Sequence, residues 1–268
     1  MAFDVPDFAR LLALESHGPD VHVGISPTYP WGGLYGGQVV AQGLRAAALS
    51  LDDERPVHSL HAYFIRTGNV DEPVRYEVDR IRSGRTFSTR RVVARQSVGA
   101  ILNMSASFQT SEEGASTSAL TAPTGIARPE ELATDGWGDV LDRRTIRMGA
   151  PGQTTLAWLR TKSPRGEGPA LAECALAYTS DDLPTAAVST AHPRQTSSEQ
   201  EWDATFFSVS LDHTIWFHRP FSPDAWLLQE TTSHGVHGGR GLALANIFDE
   251  EGQHVATVAQ EVLLRERR

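Results

Sequence analysis

The chain has 268 residues, 40% hydrophobic and 21% charged, which excludes a disordered protein and allows a sizeable core without metal or disulfide staples. A formal net charge of −9 argues against nucleic acid as the partner, because phosphate binding relies on clustered Lys and Arg; an anionic small molecule needs only a local basic patch. The one cysteine, Cys174, excludes an internal disulfide and fits a reducing compartment.

The N-terminal stretch MAFDVPDFARLLALES is interrupted by acids and has no apolar run of signal-peptide length. No segment approaches the ~20 apolar residues that span a bilayer. No membrane span is therefore expected, and the expected location is cytoplasmic.

The spacing of Val39, Val40, Leu44, Ala47 and Ala48 predicts a helix over 36–51, and its alanines favour that state. Gly36 and Gly37 at its start allow close backbone approach and leave N–H groups at a positive helix end. Four strands are predicted next, over 58–66, 74–82, 86–96 and 100–109. Gly68, Ser83-Gly84 and Gly99 supply the breaks. A long helix wrapped by an antiparallel sheet is the simplest architecture for that order.

From Thr110 to Thr134 the chain is rich in Ser, Thr, Ala, Gly and Pro without a period, so it reads as a linker ending in a short helical turn. The expected division is a first unit over 1–112, a linker over 113–134 and a second unit over 135–268. The second part repeats the plan. A helix is predicted over 169–181, a polar loop over 190–201, and strands over 206–218, 225–232, 240–249 and 255–265. HSLHAYFIR at 58–66 matches SLDHTIWFHR at 210–219, and RSGRTF at 82–87 matches HGGRGL at 237–242. Both fall at an offset of roughly 153–155 residues, which reads either as a weak internal duplication or as chance similarity between two β-rich stretches.

Six segments in order carry a resemblance: GGLYGGQVVAQGL (32–44), HSLHAYFIRTG (58–68), RSGRTFSTRRVVARQ (82–96), ALAYTSD (175–181), SLDHTIWFHRPF (210–221) and VAQEVLLR (258–265). Together they resemble type II (TesB-like) acyl-CoA thioesterases over nearly the whole chain. The resemblance implies an α+β double hot-dog fold, in which each of two fused units is a long helix embraced by a curved antiparallel sheet. It also implies hydrolysis of medium- or long-chain acyl-CoA to fatty acid and CoA by direct attack of water, with no cofactor. The catalytic residues it implies are Asp181, Ser210 and Gln260. Ser210 stands where the family often has Thr, and Asp182 competes with Asp181 for the role of acid.

That trio suits the chemistry. Thioester hydrolysis needs an activated water, a polarised carbonyl and a stabilised oxyanion. An Asp holds the water or takes its proton, a hydroxyl orients it, and an amide donates. Gly36 and Gly37 are candidates for oxyanion or substrate binding through a helix start. Taken singly, each residue reads as ordinary: a helix-end cap, a strand hydroxyl, a polar-face glutamine.

Other schemes find less support. His58 and His61, His213 and His218, and His234 and His237 lack the accompanying carboxylates or cysteines of a metal site, so no metal is expected and they read as core or surface histidines. No G-x-S-x-G elbow, P-loop or dinucleotide fingerprint occurs. Cys174 reads as a small buried hydrophobe, and Trp216, Phe217, Phe221 and Trp226 as core, some lining an acyl tunnel. The rivals are a non-catalytic acyl-CoA or lipid binder on the same scaffold, and a hot-dog enoyl-CoA hydratase, whose Asp-x-Asn-x-x-His run this chain lacks. Association through sheet edges makes a homo-oligomer, dimer or larger, the expected state.

Overall fold

A computed structural model describes residues 7–149, 154–162, 167–195 and 199–267. In chain order the first part holds α1 (Phe8–Leu12), β1 (Glu15–Ser16), β2 (Val21–Gly24), α2 (Gly36–Leu49), β3 (Val57–Phe64), β4 (Val74–Ser83), β5 (Phe87–Gln96) and β6 (Gly99–Gln109). The second holds β7 (Leu141–Arg147), β8 (Thr154–Thr161), α3 (Leu171–Thr179), α4 (Pro184–Thr190), α5 (Glu199–Thr205), β9 (Phe206–Ser210), β10 (Asp212–Phe217), β11 (Leu227–His237), β12 (Arg240–Phe248) and β13 (His254–Glu266). No described helix is long and apolar enough to cross a membrane.

Among the described residues thirteen strands form one sheet, with every pairing antiparallel. Its order is β1-β2-β4-β5-β6-β3, then β10-β13-β12-β11-β8-β7, so the second run mirrors the first across the β3–β10 seam. The seam register sets Thr214 opposite His61, and these are also the residues paired by the 153-residue offset. Matching backbone bonds flank both strands. The Ile65 N–H donates to the Ile101 carbonyl and the His218 N–H to the Val255 carbonyl, each at 2.8 Å. The Arg66 guanidinium donates to the Ala100 carbonyl and that of Arg219 to the His254 carbonyl.

The sheet curls around α2 and α3. Residues 37–48 of α2 are all buried, so polar side chains on it require internal partners. Gln42 donates to the Leu11 and Ile25 carbonyls and accepts from the Tyr76 hydroxyl. Helices α2 and α3 are both rich in alanine and both contribute to the same core cluster. They run antiparallel: Gly37 meets Asp181 at one end, and Arg45 donates to the Pro169 carbonyl at the other. One core cluster joins residues of both parts, among them Leu44, Val92, Tyr178, Ile215 and Val258.

The strands over 74–82, 86–96 and 100–109 appear within a residue of expectation. The predicted 206–218 strand is two, β9 and β10, broken at Leu211. The register along β13 slips there by one residue, from Ser210↔Val262 to Thr214↔Ala259. Such a bulge re-aims the side chain beside it. The 169–181 helix covers only Leu171–Thr179, leaving Asp181 beyond its end. The 190–201 loop is flanked by α4 and α5, and 196–198 lie outside the described residues. The linker ends in the expected helical turn, Pro129–Glu131, and is packed rather than loose: Trp158 donates to the Ala127 carbonyl and Arg219 to that of Thr117. Trp226 is buried beneath the Arg160 guanidinium, whereas Trp216, expected in the core, is 38% exposed beside His61 on the outer face of the seam.

Candidate active site

Three distant segments converge where α2 begins. Asp181 follows α3, Ser210 sits at the bulge between β9 and β10, and Gln260 faces inward from β13, whose strict alternation buries it completely. The Ser210 hydroxyl donates to Asp181 Oδ1 at 3.0 Å, and Gln260 Nε2 donates to Ser210 Oγ at 2.7 Å. The Gly37 N–H donates to Asp181 Oδ2 at 2.8 Å. Asp181 therefore serves as the missing N-cap of α2, whose own cap position, Tyr35, makes no side-chain capping bond. A carboxylate at a positive helix end is electrostatically favoured.

Burial opposes that charge. It pushes the Asp181 carboxyl up to about 7, while bonds from Ser210, Gln260 and Gly37 pull it part of the way back. A carboxyl titrating there suits a general base at neutral pH. Asp182 is placed differently. It accepts from the Trp137 indole at 2.6 Å and forms an ion pair with Arg143 at 2.9 Å. Of the two acids, Asp181 is the one joined to Ser210 and Gln260.

The glycines have steric reasons. A Cβ on Gly36 would lie 2.7 Å from Asp181 Oδ2 and 2.9 Å from Phe64 Cζ. One on Gly37 would lie 2.4 Å from the Tyr178 carbonyl oxygen, a backbone atom that cannot swing aside. Gly37, expected as an oxyanion donor, directs its N–H to the acid. Gly36 keeps open the space between the acid and Phe64.

One residue of the network was read only as a core or surface histidine. His213 is completely buried, with Nδ1 at 2.5 Å from Gln260 Oε1 and Nε2 at 2.9 Å from the Ser180 hydroxyl. Burial pulls its imidazole down to about 4, so it is neutral at pH 7. The signal that could have found it is position: HSLH aligned with LDHT puts His213 where the first half has Leu60. The other histidines stand apart from this network. His58 bonds Ser107, and His218 bonds Thr257. Among the described residues no three His, Cys, Asp or Glu side chains gather to hold a metal.

An antiparallel sheet curled around central helices defines an α+β protein of the hot-dog kind. A hot-dog-fold protein from Alicyclobacillus acidocaldarius superimposes with a TM-score of 0.80 over 97% of this chain and 98% of that one, at 19% identity. The family profile of the acyl-CoA thioesterase N-terminal domain matches residues 25–109, and that of the acyl-CoA thioesterase C-terminal domain matches 112–264. The chain belongs to the acyl-CoA thioesterase family. Acyl-CoA thioesterase 2 of Haemophilus influenzae is 33% identical, covering 96% of each chain. Human acyl-coenzyme A thioesterase 8 is 33% identical over 95% of this chain and 88% of its own length. The structure of acyl-CoA thioesterase II TesB2 from Mycobacterium marinum matches with a TM-score of 0.80 and 35% identity over 96% of both chains.

Proposed function

We propose that the chain hydrolyses medium- and long-chain acyl-CoA to fatty acid and CoA by direct attack of water, with Asp181, Ser210 and Gln260 as the catalytic residues. One observation carries this reading: three side chains from separate segments form an unbroken hydrogen-bonded line ending on a carboxyl tuned to neutral pH. Ser210 is partly exposed, so the line reaches solvent.

The steps follow from what each group has left to offer. Asp181 accepts one bond on each oxygen and retains lone pairs for a water. Gln260 uses one amide proton on Ser210 and has a second for water or the thioester carbonyl. Water attacks the carbonyl carbon while Asp181 takes its proton. The tetrahedral oxyanion forms in the space beside Gly36, at the helix start. Its collapse expels the CoA thiolate, which recovers the proton from Asp181. Ser210 donates to Asp181 and accepts from Gln260, so it orients the base instead of attacking.

The mirrored strand order and matched bonds of β3 and β10 support two fused hot-dog units, over 1–112 and 135–268, with 113–134 as the linker. The site then belongs to both units, since Gly37 comes from the first and the trio from the second. A homo-oligomer and a cytoplasmic location complete the proposal. The second rests on Cys174, held as a buried free thiol that suits a reducing compartment.

The mechanism is tested by quenching the enzyme during turnover and weighing it by mass spectrometry. Direct water attack predicts no acyl adduct with any chain length; a trapped acyl-enzyme on Asp181 or Ser210 would overturn it.

A further inference from the structure

We propose that His213 is a positioning residue whose imidazole decides which end of the Gln260 carboxamide faces Ser210. This deepens the hydrolytic reading above and rests on it.

A carboxamide is nearly symmetric in shape, so packing cannot tell its oxygen from its nitrogen; only hydrogen-bond partners can. Ser210 has a single proton, and an ionised Asp181 Oδ1 can only accept it. Gln260 must therefore present its NH2 end to Ser210, which turns its Oε1 away. His213 Nδ1 meets that oxygen, and Nδ1 must carry the imidazole proton. Nε2 is then an acceptor, and the Ser180 hydroxyl supplies the donor. Donation thus runs one way, Ser180 to His213 to Gln260 to Ser210 to Asp181. Ser180 is the chain neighbour of the residue on which the line ends.

The first half shows what this sheet position holds without that task. Leu60 pairs with Ala106 across β3 and β6. Continuing the β10–β13 register one residue beyond Thr214↔Ala259 puts His213 opposite Gln260 at the matching place. Leu60, Ala106, His213 and Gln260 are all buried. Burying an imidazole and an amide costs desolvation that a Leu–Ala pair avoids. Filling space does not explain the exchange, because a leucine fills the equivalent site.

The test is steady-state kinetics of three variants with an acyl-CoA substrate. His213→Leu, the side chain of the equivalent position, is expected to lower kcat about 100-fold, the scale for misplacing a catalytic group. KM should change little, since nothing that holds substrate is removed. His213→Asn puts an amide where Nδ1 was and should recover most of the lost kcat. His213→Gln, whose amide reaches the Nε2 position, should recover less. Wild-type kcat in His213→Leu, or rescue by Gln and not by Asn, would overturn the positioning role. If His213→Leu fails to fold by circular dichroism, the Asn and Gln variants decide in the same way. A wild-type enzyme that releases no CoA would overturn the hydrolytic reading and this role with it; active wild type with an unaffected His213→Leu would overturn this role alone.

Discussion

At one end of the α2–α3 pair, a carboxyl from beyond α3 closes the start of α2; at the other, a guanidinium from α2 closes the approach to α3. Asp181 accepts the Gly37 N–H, and Arg45 donates to the carbonyls of Pro169 and Glu167. Around Asp181 the sheet supplies Ser210, His213 and Gln260. The equivalent positions in the first half, by offset and register, are Val57, Leu60 and Ala106. The bulge is present in both halves, between Val57 and Ser59 as between Ser210 and Asp212. One framework therefore carries polar side chains in the second half and apolar ones at the equivalent positions of the first. The bulged backbone is shared, and in the second half it carries Ser210, His213 and Gln260, which link to Asp181 through hydrogen bonds.

Replacing Asp181 should break the site most severely. Asp181→Asn keeps the shape and removes the base, and a fall in kcat of at least about 1,000-fold is expected in a thiol-release assay. Stability should move the other way. The unfolded carboxyl titrates near 4 and the folded one at about 7, so the native state holds the extra proton between those values. Wild-type stability should fall as pH rises from about 4 to 7, by up to roughly 4 kcal/mol. Urea unfolding of Asp181→Asn should lack that slope and give the more stable protein at pH 8. Wild-type kcat should rise with pH through about 7, as the base ionises.

Giving the second half the residues of the first comes next. Ser210→Val and Gln260→Ala should each lower kcat by about 100-fold while the fold persists, because the first half already packs Val57 and Ala106 in those places. Gly36→Ala, measured in the same assay, should cost about 10- to 100-fold through a Cβ pressed against Asp181 and Phe64. The smallest catalytic effect is expected at the Arg45 end of the helix pair. Arg45→Ala should lower stability by roughly 1.5–3 kcal/mol in urea unfolding, with kcat unchanged within error. A large loss of kcat there would mean the two ends are not chemically separate.

Much of this was legible in the sequence where pattern and burial coincide. Helix α2 and strands β4, β5 and β6 have clear periods, whereas the sequence offset between the halves gave no sign that β3 and β10 pair. The trio was legible only through six segments taken together, since an Asp after a helix or a Gln in a strand is ordinary alone. The misses have physical causes. Strand β2 has four residues and β7 is mostly charged, so neither shows a period. The break at Leu211 is a register slip, which hydrophobic pattern does not encode. His213 sits inside an apolar strand, where a histidine normally signals nothing. That Asp182 turns instead to Arg143 and Trp137 was not legible, because these partners come from about 40 residues upstream.

The most direct measurement is CoA thiol release across acyl chains from acetyl to palmitoyl, for the wild-type protein and Asp181→Asn. The account predicts enzyme-dependent release that favours medium and long chains, rises with pH through about 7, and disappears in the variant. Saturable binding without release from any chain, or a variant as fast as wild type, would contradict it.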